Sequence, residues 1–141
     1  MQTIAAFPAS TLERLTIPVR EIMCPGVVSI PEDASLLEAK RAMVRHGIHA
    51  VLIVGTDTGR PLGWVTDNGL LSWLERDLTA LPAAHAITEP AHFVEPDAIA
   101  RVALEALEAP GVSHLLVGPA EGGTPHGVVA AIDLVNLVTH P

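Results

Sequence analysis

The stretch RHGIHAVLIV, residues 45–54, decides the fold, because its pattern recurs 64 positions later as APGVSHLLVG, residues 109–118. In each copy a glycine, Gly47 or Gly111, follows a helical pattern, and glycine there tolerates the left-handed turn that ends a helix. The runs beyond, His49 to Val54 and His114 to Val117, are short, apolar and partly β-branched, which predicts buried strands. At the same offset Asp33-Ala34 matches Asp97-Ala98, Ala39 matches Ala103, Ala42 matches Ala106 and Leu52 matches Leu116. Further on, Gly59, Pro61, Gly63, Val65 and Leu70 match Gly123, Pro125, Gly127, Val129 and Leu134, with no gap. Met43 with Leu107, Ile48 with Val112 and Val51 with Leu115 fall between these identities, so the match follows buried positions rather than shared composition.

Upstream of each glycine, Asp33 and Asp97 are expected to cap a helix running to about His46 and Ala109, with Ala39, Ala42, Met43 and Ala103, Ala106, Leu107 on one face. Downstream, a turn rich in Gly, Pro, Thr and Asp (55–61 and 118–125) leads into a second strand, 62–66 or 127–130, and a closing helix, 68–77 or 132–139. The fold class is therefore α/β in the α+β sense: two tandem β-α-β-β-α repeats. Neither is long enough to cover its own sheet, so they are expected to pack sheet to sheet. The expected organisation is a leader over 1–18, repeat 1 over 19–77, a linker over 78–82 and repeat 2 over 83–141. In the leader, Ser10 or Thr11 can cap a short helix through Leu15.

Composition narrows the function. The chain of 141 residues is 49% hydrophobic, 17% charged and carries a formal net charge of −8. So apolar a chain buries much for its size or hides a face against a partner, and self-association is expected. Its eight basic residues, Arg14, Arg20, Lys40, Arg41, Arg45, Arg60, Arg76 and Arg101, form no stripe along the sequence, which argues against nucleic acid. Cys24 is the single cysteine, which excludes an internal disulfide and a multi-cysteine zinc site and suits a cytoplasmic location. No apolar run approaches the roughly 20 residues a membrane span needs, and the first residues lack a basic signal-peptide start.

Residues 19 to 140 resemble the cystathionine-β-synthase (CBS) domain family. The resemblance is carried by Val19-Arg20-Glu21-Ile22-Met23, by Ser35-Leu36-Leu37-Glu38-Ala39, by residues 43–54, by Gly63-Trp64-Val65-Thr66-Asp67-Asn68-Gly69-Leu70-Leu71, and in repeat 2 by Gly127-Val128-Val129-Ala130-Ala131-Ile132-Asp133-Leu134-Val135. It implies a pseudo-twofold pair of repeats that commonly dimerises and binds adenosyl compounds such as AMP, ADP, ATP or S-adenosylmethionine. In the family the second strand ends in Gly, two apolar residues, Ser or Thr, two residues and Asp. The carboxylate accepts hydrogen bonds from ribose hydroxyls, while the hydroxyl and the free helix N–H groups hold phosphate.

Here the motif is broken in both copies. The first has Thr66 but Gly69 where the acid belongs; the second has Asp133 but Ala130 where the hydroxyl belongs. By the resemblance, one site joins Asp133 and Ala130 to Cys24, Val28, Ile48 and His49, and it is ranked first because it keeps the ribose anchor. The other joins Thr66 to Thr88, His92, Val112 and Ser113. With Arg101 as the single basic residue of repeat 2, weakly charged adenosyl ligands are expected to fare better than a buried triphosphate. The alternative for Asp133 is a helix cap, and for Thr66 a strand-end hydroxyl.

Remaining candidates point away from chemistry. His46 and His49 are separated by Gly47 and have no flanking acid at ligand spacing, so no metal site is expected. Cys24 lacks a nearby His in sequence and reads as inert. Trp64 and Trp73 are expected to pack core or an interface. No nucleophile with its base, carboxylate pair in register or P-loop is found, so no enzyme and no obligatory cofactor are expected. The expectation is a regulatory adenosyl-binding homodimer acting on an unidentified protein; the alternative is a ligand-free dimerisation or docking scaffold with decayed nucleotide sites.

Overall fold

In the computed structural model, which describes residues 13–119 and 123–139, the chain is α+β with eight strands in two four-stranded sheets. The strands are β1 (Cys24–Pro25), β2 (Ser29–Pro31), β3 (Ala50–Val54), β4 (Pro61–Thr66), β5 (Glu89–Pro90), β6 (Phe93–Val94), β7 (His114–Val117) and β8 (Gly127–Ala130). The helices are α1 (Leu36–His46), α2 (Asp67–Leu70, continued by a 3-10 turn over Leu71–Trp73), α3 (Ala100–Leu107) and α4 (Ala131–Thr139). Ser10 and Thr11, proposed as caps of a leader helix, lie outside the described residues.

The chain divides into two compact units that do not coincide with the sequence repeats. One runs from Gly26 to His92; the other takes the chain up to Pro25 together with Phe93 onward. Within the Gly26–His92 unit the sheet order is β2-β3-β4-β5, with β2 parallel to β3 and the rest antiparallel. Its core packs Leu36, Ala39 and Met43 of α1 against Val51, Ile53, Val65 and Leu70. Within the other unit the order is β1-β8-β7-β6, and Ala100 and Ala103 of α3 pack on Leu115, Val117, Val129 and Leu134. In each unit, then, the first strand of one repeat, β1 or β5, hydrogen-bonds to the second strand of the other copy, β8 or β4.

The register confirms the repeat and adds one residue to it. Ser29 lies opposite Leu52 as Phe93 lies opposite Leu116, and Ala50 opposite Thr66 as His114 opposite Ala130, all at the 64-residue offset. Cys24, however, lies opposite Val128, whereas Glu89 lies opposite Trp64. The counterpart of Cys24 is therefore Glu89 and not Thr88. The extra residue sits in the joint 26–28, where Gly26 takes φ +80°.

Both helix starts differ from expectation. Asp33 and Asp97 do not cap: Asp33 accepts from the Thr56 hydroxyl at 3.1 Å, and Asp97 pairs with Arg20. The cap of α1 is Ser35, whose Oγ accepts from Glu38 N–H at 3.3 Å, and α3 starts after Ile99 with no side-chain cap. Remote backbone does the rest. Leu36 and Leu37 donate to the carbonyls of Leu81 and Leu78, and Ala100 and Arg101 to those of Ile17 and Leu15. The orphan donors of a helix start accept any carbonyl in reach, and isolated bridges (Ser35 with Pro82, Ile99 with Pro18) keep the residue before each helix extended. Segments 15–18 and 78–82 are thus equivalent straps across helix starts, one of them lying in the predicted leader and the other in the predicted linker.

Gly47 ends α1 at φ 62° as expected, its N–H donating to Met43 carbonyl. The other helix stops at Leu107, ahead of Gly111, because Pro110 cannot donate within a continuing helix. The closing helix of repeat 1 is cut to one turn by Asn68, Gly69 and Ser72, all poor helix formers.

Candidate functional site

Each repeat brings its second strand directly into a helix, β4 into α2 and β8 into α4, and the functional side chains gather at these two junctions. A helix N-terminus leaves N–H groups unsatisfied, and a Ser or Thr at the cap with an acid three residues on can satisfy two of them reciprocally. The two junctions divide that box between them. At the first, Thr66 Oγ1 accepts from Gly69 N–H at 2.9 Å. At the second, Asp133 Oδ2 accepts from Ala130 N–H at 2.8 Å. The residues expected to hold ligand are therefore also capping residues, and each repeat keeps the half the other has lost.

In the unit of β1 and β6–β8, Asp133 is half-buried, and its second carboxylate oxygen has no partner among the described residues. Cys24 is exposed on β1, paired with Val128, two residues before Ala130 on β8. Ser113 precedes β7, its Oγ 2.7 Å from His114 Nδ1, and His114 stands opposite Ala130 in the ladder. Val112 lies beside Ser113 in the same turn. Five of the predicted residues thus belong to this unit: Cys24, Val112, Ser113, Ala130 and Asp133.

The Gly26–His92 unit holds the other six: Val28, Ile48, His49, Thr66, Thr88 and His92. Thr66 and Thr88 come together over Gly69, where an added Cβ would sit 3.0 Å from Thr66 Oγ1 and 3.1 Å from Thr88 Cγ2. An aspartate at this position, as the family pattern has it, would require the two threonine side chains to give by a few tenths of an ångström. His49 Nδ1 lies 2.8 Å from Asp67 Oδ2, and Asp67 N–H donates to His49 carbonyl, so strand start and helix start are joined by backbone and side chain. The Val28 carbonyl accepts from Leu52 N–H, and Val28 lines a groove of about 350 Å³ with Ser29, Glu38, Arg41, Arg45 and His46. His92 is exposed in the joint between β5 and β6.

Sequence reasoning missed Asp67 as the partner of His49. The signal was present, since Asp67 follows Thr66 in the motif and a helix start accepts an acid. It also missed the groove with Arg41 and Arg45, because guanidiniums four apart on a helix look like solvated surface until a strand edge is placed beside them. Trp64 is buried in β4; Trp73 packs against the core of its unit, with the Arg76 guanidinium 5.2 Å above its ring. Among the described residues no three metal-ligating side chains cluster, and no helix is long and apolar enough to cross a membrane.

Comparison with known proteins bears on the fold. The family model for the CBS domain matches residues 19–76. No curated protein matches the chain. Among solved structures, the CBS domain of a bacterial CNNM/CorC family Mg2+ transporter in complex with ATP is 28% identical, covers 92% of this chain and 92% of its own, and superposes with a TM-score of 0.78. A CBS domain protein from Pyrobaculum aerophilum complexed with AMP is 22% identical over 88% of this chain and 100% of its own, with a TM-score of 0.73; at that identity it shows the fold alone.

Proposed function

We propose that this chain, whose residues 19–76 match the CBS-domain family model and whose fold is that of solved CBS domains, is a cytoplasmic regulatory CBS pair, not an enzyme, that senses an adenosyl ligand such as AMP, ADP, ATP or S-adenosylmethionine as a homodimer. The observation that carries this reading is Asp133. Its carboxylate caps α4 with one oxygen, which fixes its orientation, and keeps the other for a pair of ribose hydroxyls. A solved structure 28% identical to this chain holds ATP, which supports the adenosyl class. Ser113 and Cys24 flank the same strand end within that unit. The second set, Thr66, Thr88, His92, Val112 and Ser113, lacks a carboxylate, with Gly69 where the family pattern has the acid. It is the weaker ribose site. Binding would act by shifting a conformational population read by a regulated protein.

The test is thermal unfolding of the chain against AMP, ADP, ATP, NAD and S-adenosylmethionine, on the wild type and on Asp133→Asn. A ligand at 100 times its Kd adds about 2.7 kcal/mol. The sensor reading expects one compound to raise Tm and the substitution to remove most of that rise. A specific observation favours the alternative of a ligand-free scaffold: both capping boxes are half complete and each already serves its own helix. If no compound raises Tm, the scaffold replaces the sensor.

A further inference from the structure

In the Gly26–His92 unit the groove of about 350 Å³ runs between α1 and the outer strand of the sheet. Ser29 and Ile30 of β2 form one wall, and the α1 side chains Glu38, Arg41, Arg45 and His46 form the other. Leu52 N–H donates to the Val28 carbonyl and Glu32 N–H to the Val54 carbonyl, so the even-numbered residues of this segment face β3. Alternate residues of a strand turn their backbone groups to opposite sides, which points Ser29 N–H and carbonyl outward, and Ser29 is exposed. At Pro31 the edge closes, because proline has no N–H and its carbonyl accepts from Ala34 N–H at 3.1 Å. An outer strand with free backbone groups is a template for one more strand.

The helix wall decides what that strand would carry. Arg41 and Arg45 are exposed, and among the described residues neither takes part in an ion pair. Glu38, the acid of this wall, stands about a turn nearer the start of α1, and His46 stands at its end. The fold does not require these charges. At the 64-residue offset Glu38, Arg41, Arg45 and His46 become Val102, Glu105, Ala109 and Pro110, while Ser29 opposite Leu52 keeps the register of Phe93 opposite Leu116. Spacing fits a strand. Residues four apart on a helix lie about 6 Å apart along its axis, and alternate residues of a strand lie about 6.7 Å apart. Two acids at alternate positions of an added strand therefore match Arg41 and Arg45, with no acid set against Glu38.

We propose that this edge takes an extended acidic segment of a partner protein, added to β2 as a further strand with its acids at alternate positions facing Arg41 and Arg45. Backbone hydrogen bonds at Ser29 supply the pairing, and the guanidiniums select the sequence through charge-assisted bonds to carboxylates. A chain of net charge −8 repels an acidic segment in general, so attraction has to come from this local pair. The inference goes beyond the adenosyl reading and stands without it.

Fluorescence anisotropy on the full chain tests it, with a fluorescein-labelled peptide alternating Thr and Glu as the probe. The comparisons are a peptide alternating Thr and Lys, and one of the same Thr and Glu content with its acids grouped at one end. The alternating acidic peptide is expected to bind and the lysine peptide not to bind. Arg41→Glu with Arg45→Glu is expected to raise the Kd on the order of tenfold or more, less so at high salt. In the wild-type complex, hydrogen exchange at Ser29 N–H is expected to slow, which charge attraction alone would not cause. No binding up to about 1 mM, or binding that the double reversal leaves unchanged, overturns the proposal. Equal binding of the grouped-acid peptide, or displacement by inorganic phosphate at equal concentration, makes the groove a plain anion site and overturns the added strand. Protection of Ser29 N–H without peptide, growing with protein concentration, gives the edge to a second copy of the chain and overturns the partner. None of these outcomes bears on whether an adenosyl ligand raises Tm.

Discussion

Gly127→Ala is the sharpest perturbation of this fold. The glycine opens β8 and faces the backbone of β1: a Cβ there would lie 2.3 Å from Cys24 carbonyl oxygen and 2.8 Å from Met23 Sδ. Carbon and carbonyl oxygen rest comfortably at about 3.3 Å or more, so the backbone of β1 has to retreat by about 1 Å. The methionine can rotate away, but a carbonyl in a strand cannot. Because β1 has two residues, paired as Cys24 with Val128 and Pro25 with Gly127, a shift of that size loosens the whole strand. Gly127 has no positive φ, so the cost is steric rather than conformational. Overpacking of this kind costs about 1–3 kcal/mol, which for a chain of this length lowers Tm by roughly 4–12 °C. Thermal unfolding followed by circular dichroism measures it, with Gly63→Ala as the matched case, since its Cβ would meet Glu89 carbonyl oxygen at 2.6 Å. A Tm within a degree of wild type for Gly127→Ala would falsify the claim that β1 is locked against β8 at this point.

Three further outcomes are expected. Ser35→Ala removes the side-chain cap of α1 and should cost about 1 kcal/mol in denaturant unfolding, whereas Asp33→Ala should cost measurably less; equal costs would restore the aspartate as the cap. Leu115→Ala empties a fully buried position in the core of its unit and should cost about 2–5 kcal/mol, read from the urea midpoint at unchanged slope. The Thr79 hydroxyl and then its backbone N–H, both bonded to Asp77 Oδ1, hold the Asp77 carboxyl below its ordinary pKa. A depressed carboxylate contributes stability above its ordinary pKa that is lost as pH falls through the lowered value. Thr79→Val should therefore move the NMR titration of Asp77 upward, and an unmoved midpoint would contradict the assigned cause.

The sequence by itself determined the local elements and their order. Glycine register, apolar runs and helix periodicity are short-range signals, so β7 and β8 fall on the predicted residues, Gly47 ends α1, and the 64-residue offset holds from Ser29 onward. It also marked Thr66 and Asp133 as half-motifs, and the structure puts both at helix starts with a backbone N–H on each. What only the tertiary structure decided is who satisfies whom. Asp33 and Asp97 look like caps because an acid before a helix usually is one; here carbonyls from residues 15–17 and 78–81 reach the first-turn donors, and a backbone acceptor brought from far along the chain leaves no mark in the local pattern. For the same reason the pairing of β1 with β8 and of β5 with β4, which makes Glu89 the counterpart of Cys24, was hidden: strand partnership is set by which edge is free when the sheets form, and composition says nothing about that.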